Sequence, residues 1–226
     1  MMRTPTTTRC AAVAALIACA AAAGCAKGRP GADAVAVPED RAAPPPRPPP
    51  ALVERSVEID GWKMTLSVPD DFEAETHGTF RPKGEGARGN MLTVGTACDG
   101  RCGAGGWIAR ADRIVLAAAS GMDRETSDGR TIKAQVRYNR KVADGRYEYE
   151  VSVPKGEGIL DEPFIAGGVL VFDDAWPAYV ACEYVAAFET APTYAGVLAE
   201  ACASLKVLAA PPAPPASPPP PPVEEE

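Results

Sequence analysis

Proline decides how much of this 226-residue chain can fold into a core. Seventeen of its 24 prolines fall in two stretches, eight in 30–50 and nine in 211–222. Proline fixes φ and lacks an N–H, so it withholds donors from helices and sheets alike. Neither stretch has an apolar period, and both are predicted to be extended, polyproline-like spacers. They leave a core of 157 residues, 52–208, which is enough for one hydrophobic domain. That core holds 24 acids and 17 bases and so carries the whole formal charge of −7. Net acidity argues against nucleic acid as a partner.

Within the core, turn chemistry marks two hairpins. Val53–Ile59 and Trp62–Val68 alternate apolar and polar residues around Asp60-Gly61. Asp-Gly between such runs is a type I′ signal, and a two-residue loop sets the register. Ile59 then faces Trp62, Val57 faces Met64, Val53 faces Val68, and Glu58 pairs with Lys63. Thr131–Val142 and Arg146–Val153 flank Asp144-Gly145 and are expected to repeat this design. There Val142 faces Tyr147, Tyr138 faces Val151, Val136 faces Val153, and Lys141 pairs with Glu148. Further strands are expected near 76–81, 90–97, 168–173 and 178–188. Pro82-Lys83-Gly84-Glu85-Gly86 and Pro154-Lys155-Gly156-Glu157-Gly158 read as one turn chemistry used twice.

Two stretches have helical spacing. Trp107, Ala111, Ile114, Val115 and Ala118 form one, which Gly121 ends. Tyr194, Val197, Leu198, Ala201, Cys202 and Leu205 form the other, with Thr190 or Thr193 as cap and Pro192 near the first turn. The predicted fold is α+β, a largely antiparallel sheet of about six to eight strands with two packed helices. Trp62-Lys63-Met64-Thr65-Leu66-Ser67-Val68-Pro69-Asp70-Asp71-Phe72 resembles the opening of PsbP-like domains. The last strand, helix and Ala203-Ser204-Leu205-Lys206-Val207 resemble their close. The resemblance implies a non-catalytic domain that binds protein partners, and it transfers no site residues.

The N-terminus gives an address. Arg3 and Arg9 precede an apolar run from Cys10 to Gly24, which ends in Ala22-Ala23-Gly24-Cys25. A positive region, an apolar region and a small-residue cut make a signal peptide. The run is shorter than the roughly 20 apolar residues of a spanning helix. A cysteine at the cut resembles the bacterial lipobox, which implies lipidation of that thiol. Leu16-Ile17-Ala18-Cys19 is an alternative, since the family prefers leucine three residues before the cysteine. Cleavage before Cys25 leaves four further cysteines, an even set, whereas cleavage before Cys19 leaves an odd thiol in an oxidising compartment. Cys25 is therefore preferred. The chain is expected to divide into a signal peptide, 1–24; a proline-rich tether, 25–51; the domain, 52–208; and an acidic, disordered proline-rich tail, 209–226.

Little in the core points to catalysis. His77 is its one histidine, which excludes Ser-His-Asp and multi-histidine zinc sites. Cys98 and Cys102 have three residues between them rather than two, so the redox spacing is absent and a small structural disulfide is expected. Gly103-Ala104-Gly105-Gly106 lacks the Gly-Lys-Ser/Thr ending of a P-loop and reads as a connector. Cys182 shares a strand face with Val180, Tyr184, Ala186 and Phe188, while Cys202 lies on the apolar face of the last helix. A Cys182–Cys202 bridge is expected to staple helix to sheet. The acidic pairs Asp70-Asp71, Asp161-Glu162 and Asp173-Asp174 lack EF-hand spacing, so no metal or cofactor is expected.

Arg130, Lys133, Arg137, Arg140, Lys141 and Arg146 put six bases into 17 residues, opposed within that stretch by Asp144. Lys133, Arg137 and Lys141 are expected to share an outward strand face, a candidate strip for an anionic polymer or a partner. Glu148 and Glu150 across the strand pair would neutralise part of it. The sequence thus predicts an envelope lipoprotein, attached to the bacterial outer membrane by its lipid. Its domain binds a protein or envelope polymer. An envelope hydrolase and a purely structural lipoprotein are the alternatives.

Overall fold

The computed structural model describes residues 48–76, 78–84, 89–98, 106–156 and 162–212. Their elements run β1 (Leu52–Ile59), β2 (Trp62–Pro69), β3 (Phe72–Thr76), β4 (Thr79–Pro82), β5 (Met91–Ala97), α1 (Ala111–Ser120), β6 (Arg124–Glu125), β7 (Thr131–Ile132), β8 (Gln135–Ala143), β9 (Arg146–Val153), β10 (Phe164–Val171), β11 (Tyr179–Ala187), α2 (Ala191–Ala203) and β12 (Lys206–Ala209). The domain is α+β. A seven-stranded sheet has the order β3-β4-β5-β11-β10-β9-β8, and every neighbouring pair in it is antiparallel. A second sheet, β1-β2-β12, and a small β6-β7 ribbon complete the strands.

Each face of the large sheet has its own core. On one, Leu92, Val94, Val169, Val180, Cys182 and Tyr184 meet Tyr194, Leu198, Ala201 and Cys202 of α2, together with Trp62, Met64, Leu66 and Val68 of β2. On the other, Tyr147, Tyr149, Val151 and Val153 of β9 meet Trp107 and Ala111, Ile114 and Val115 of α1. Strict alternation along β9 serves both: its tyrosines and valines go to the α1 face, leaving Glu148 and Glu150 on the α2 face. A short 3-10 turn, Ile108–Arg110, leads into α1, and its first N–H donates to Asp174 Oδ1 at 3.1 Å. Pro192 stands at the start of α2. Among the described residues no helix is long and apolar enough to cross a membrane.

The first hairpin has the predicted register: Ile59 faces Trp62, Val57 faces Met64, Val53 faces Val68, and Glu58 faces Lys63. Asp60 and Gly61 both take positive φ, 49° and 83°, as a type I′ turn requires. The second hairpin departs from the prediction. There Gly145 alone is positive, at 65°, and the ladder shifts between Lys141 and Ala143 and again between Val136 and Tyr138. Tyr147 therefore faces Lys141 rather than Val142, Tyr138 faces Glu150, and Val136 faces Val151. Each shift inserts a residue and swaps the faces of those that follow. Glycine is required at 145, because a Cβ there would stand 2.1 Å from the Phe172 carbonyl oxygen.

The predicted strand over 131–142 is broken into β7 and β8. Strands β3 and β12 lie outside the ranges expected from sequence. β12 forms the edge of the second sheet, pairing Lys206 with Thr65 and Val207 with Met64.

Candidate functional site

Two adjacent glycines shape the middle of the large sheet. Gly167 and Gly168 of β10 lie between β9 and β11, and the register places Gly168 between Tyr149 and Glu183 and Gly167 between Glu150 and Tyr184. With no side chain at either position of β10, the flanking residues reach across it. Tyr149 donates its hydroxyl to Glu183 at 2.7 Å on the α1 face. Tyr184 donates to Glu150 at 2.8 Å on the α2 face. The two contacts run in opposite senses on opposite faces. A Cβ on Gly167 would stand 2.7 Å from the Tyr184 hydroxyl oxygen, and one on Gly168 2.2 Å from the Cys182 carbonyl oxygen. Burial pushes the Glu183 carboxyl up, and the Tyr149 hydrogen bond opposes it. Tyr149 and Tyr184 are both raised, first by burial and then by their glutamate partners. In sequence, the one trace of this arrangement is a Gly-Gly pair inside an apolar strand.

On the α2 face the polar network opens into a cleft of about 230 Å³, lined by Tyr138, Arg140, Glu148, Tyr184, Ala199, Glu200 and Ala203 among others. Ala199 and Ala203 lie one turn apart on α2, and their small side chains leave the space between helix and sheet. Arg140 bonds Glu148 Oε2 at 2.8 and 3.2 Å, and its guanidinium lies 5.2 Å from the centre of the Tyr138 ring. Arg137 reaches Glu150 at 2.9 Å. Burial raises Tyr138 above its ordinary value, assisted by the Glu150 charge.

Arg146, predicted as part of the basic cluster, is engaged at the end of α2. It donates to the carbonyl oxygens of Leu205 at 3.0 Å, Ala203 at 2.6 Å and Cys202 at 3.4 Å. It caps the carbonyls that end α2, where the helix dipole favours a cation.

The predicted strip Lys133, Arg137 and Lys141 does not form one face. Lys133 precedes β8 and bonds Asp123 at 2.7 Å. Arg137, beside the first ladder shift, turns to Glu150 on the α2 face. Lys141 faces Tyr147, which belongs to the α1 face, and bonds Asp144 at 2.6 Å. The Glu148 expected opposite Lys141 is taken by Arg140. The ladder shifts are the cause, since they reverse the alternation on which a shared face depends.

Cys182 and Cys202 are bonded, with Cα atoms 5.3 Å apart, joining the β11 face to the apolar face of α2. Val180, Tyr184 and Ala186 are buried beside Cys182, whereas Phe188 lies past the strand and is exposed. Cys98 is also disulfide-bonded. Its predicted partner Cys102, the histidine His77, Gly103–Gly105 and the lipidation candidates Cys19 and Cys25 lie outside the described residues. Two of the acidic pairs serve the fold: Asp71 accepts the Tyr194 hydroxyl, Asp173 accepts the Ala175 N–H, and Asp174 holds the 3-10 turn, while Asp161 of the third pair lies outside the described residues. Among the described residues no group of three or more histidine, cysteine, aspartate or glutamate side chains is placed to hold a metal.

No family model matches the sequence, and no curated protein matches it. Solved structures that are similar over most of their own length include two of different origin. One is the Ran-binding protein Mog1p of Saccharomyces cerevisiae, 12% identical, covering 70% of this chain and 96% of that one at a TM-score of 0.38. The other is the cyanobacterial PsbP protein CyanoP of Synechocystis, 14% identical, covering 76% of this chain and 99% of that one at a TM-score of 0.38. The second belongs to the family that the Trp62–Phe72 segment resembles. At these scores neither match transfers a partner or an activity.

Proposed function

We propose that this chain is a lipid-anchored protein of the bacterial envelope whose domain works by binding a partner rather than by catalysis. The observation that supports the binding reading is the cleft beside α2. Of the carboxylates that line it, Glu148 is paired with Arg140 and Glu200 is exposed on α2. A cleft edged by charged side chains of both signs offers a partner electrostatic and shape complementarity. A polypeptide is favoured over an anionic polymer. The four cations Lys133, Arg137, Arg140 and Lys141 each face a carboxylate, so the region carries no excess of positive charge for a polyanion.

The anchor rests on the lipobox-like ends at Cys25 and Cys19, and the 25–51 stretch would hold the domain away from the bilayer. Labelling with a palmitate analogue is expected to mark the wild type and to fail in Cys25→Ser. Label that persists there and vanishes in Cys19→Ser moves the site, and label indifferent to both removes the anchor. For binding, a photo-crosslinking residue is placed at Ala199 in cells. A discrete adduct is expected, and none across growth conditions would overturn the reading.

A further inference from the structure

We infer that the cleft beside α2 receives a basic side chain, a lysine ammonium or an arginine guanidinium, from a partner polypeptide. The inference rests on the binding reading above and names the chemistry of that partner. Size limits the occupant first. Drug-sized ligands fill pockets of about 300–1,000 Å³, and a cleft of about 230 Å³ suits one side chain.

Charge selects its sign. Among the lining residues Glu148 and Glu200 oppose one cation, Arg140, while the nearby guanidinium of Arg146 is taken up by the carbonyl oxygens of Cys202, Ala203 and Leu205. Glu200 is exposed on α2 and makes no ion pair among the described residues. The whole chain has a formal charge of −7, so the long-range field favours the same cationic partner.

Arg140 shows that the lining accepts a guanidinium. Its group lies 5.2 Å from the Tyr138 ring centre, within cation–π range, while bonding Glu148. The side chain remains 64% exposed, so it is held by a weak pair and can swing out. The cleft is thus a cation site whose first occupant is supplied by the chain itself. An incoming basic side chain takes the free carboxylate of Glu200 and competes with Arg140 for Glu148 and the Tyr138 face.

The test uses the secreted, unlipidated chain and two labelled peptides, one alternating glycine with arginine and one alternating glycine with glutamate, read by fluorescence anisotropy. The arginine peptide is expected to bind and the glutamate peptide not to. Glu200→Lys, an exposed change whose melting should match the wild type, is expected to weaken binding at least about tenfold, the size of a charged hydrogen bond turned to repulsion. Arg140→Ala is expected to tighten it by about two- to fivefold, the release of one exposed ion pair. Arginine-peptide binding that ignores Glu200→Lys overturns the inference. So does glutamate-peptide binding that disappears in Arg140→Ala, which would make Arg140 the receptor for an acidic partner. If neither peptide binds while the Ala199 adduct forms, the basic side chain is wrong and the binding reading stands. If the adduct is also missing, both have failed.

Discussion

Removing a single hydroxyl, in Tyr149→Phe, tests the crossed tyrosine–glutamate arrangement over the glycine pair. The ring stays in the core and the donor to Glu183 is lost. Tyr149 is fully buried, and burial already disfavours the charged form of Glu183, which the Tyr149 bond relieves. Tyr184→Phe is the matched control, because Glu150 keeps Arg137 at 2.9 Å. A hydrogen bond to a charged group contributes about 1.5–3 kcal/mol and one between neutral groups about 0.5–1.5 kcal/mol. Tyr149→Phe should therefore lose about 2 kcal/mol above the raised Glu183 value, where the carboxyl is ionised, and about 1 kcal/mol at a pH below the ordinary 4.5, where it is protonated. Tyr184→Phe should lose about 1 kcal/mol, since its acceptor stays paired. With a urea slope of about 2 kcal/mol per molar, the midpoint of Tyr149→Phe falls by about 1 M at the higher pH and about 0.5 M at the lower.

The sign of the pH effect follows from Glu183 in the wild type. Its native value is raised above the ordinary 4.5, so the native state keeps a proton that the unfolded chain has released. The Glu183 contribution to stability is fully present below the ordinary value. It falls as pH rises through the raised one, then levels off. Glu183→Gln keeps an acceptor for Tyr149 and removes that slope. Equal losses from the two tyrosine changes at both pH values would refute the reasoning, as would a slope that survives Glu183→Gln.

The disulfide, the helix cap and the flanks give further tests. Cys182 and Cys202 are 20 positions apart, and a loop of that size is worth roughly 3 kcal/mol. Replacing both by alanine should lower the melting temperature by roughly 6–12 °C, and a drop under about 2 °C would contradict the staple. Arg146→Ala strips donors from two carbonyls at the end of α2 and one just beyond it, and should cost about 1–3 kcal/mol. Amide exchange should rise first in Glu200–Ala203 and β12, and an effect confined to the β8–β9 hairpin would contradict the cap. Non-reducing peptide mapping should link Cys98 to Cys102, and limited proteolysis should leave a stable fragment near 52–208. A different partner for Cys98, or unfolding on loss of 209–226, would revise the domain description.

What the sequence settled was local. Asp60-Gly61 between alternating runs fixed the register of the first hairpin. Helical spacing placed α1 and α2, and their apolar faces put Cys202 where Cys182 could meet it. Periodicity and turn chemistry act over a few residues and are legible wherever the pattern is strong. The second hairpin shows the limit of that legibility. Its Asp-Gly looks like the first, yet the ladder shifts beside Gly145 and again at Val136, and no residue there announces an inserted position. Because a side chain's face depends on the count from the turn, those shifts alone moved Arg137 and Lys141 to opposite faces and gave Glu148 to Arg140. Only the tertiary structure assigned Arg146 to the end of α2, paired β12 with β2, and set Gly167 and Gly168 between two tyrosine–glutamate contacts. These arrangements join residues far apart in the chain, and their partners are chosen by packing that no local pattern encodes.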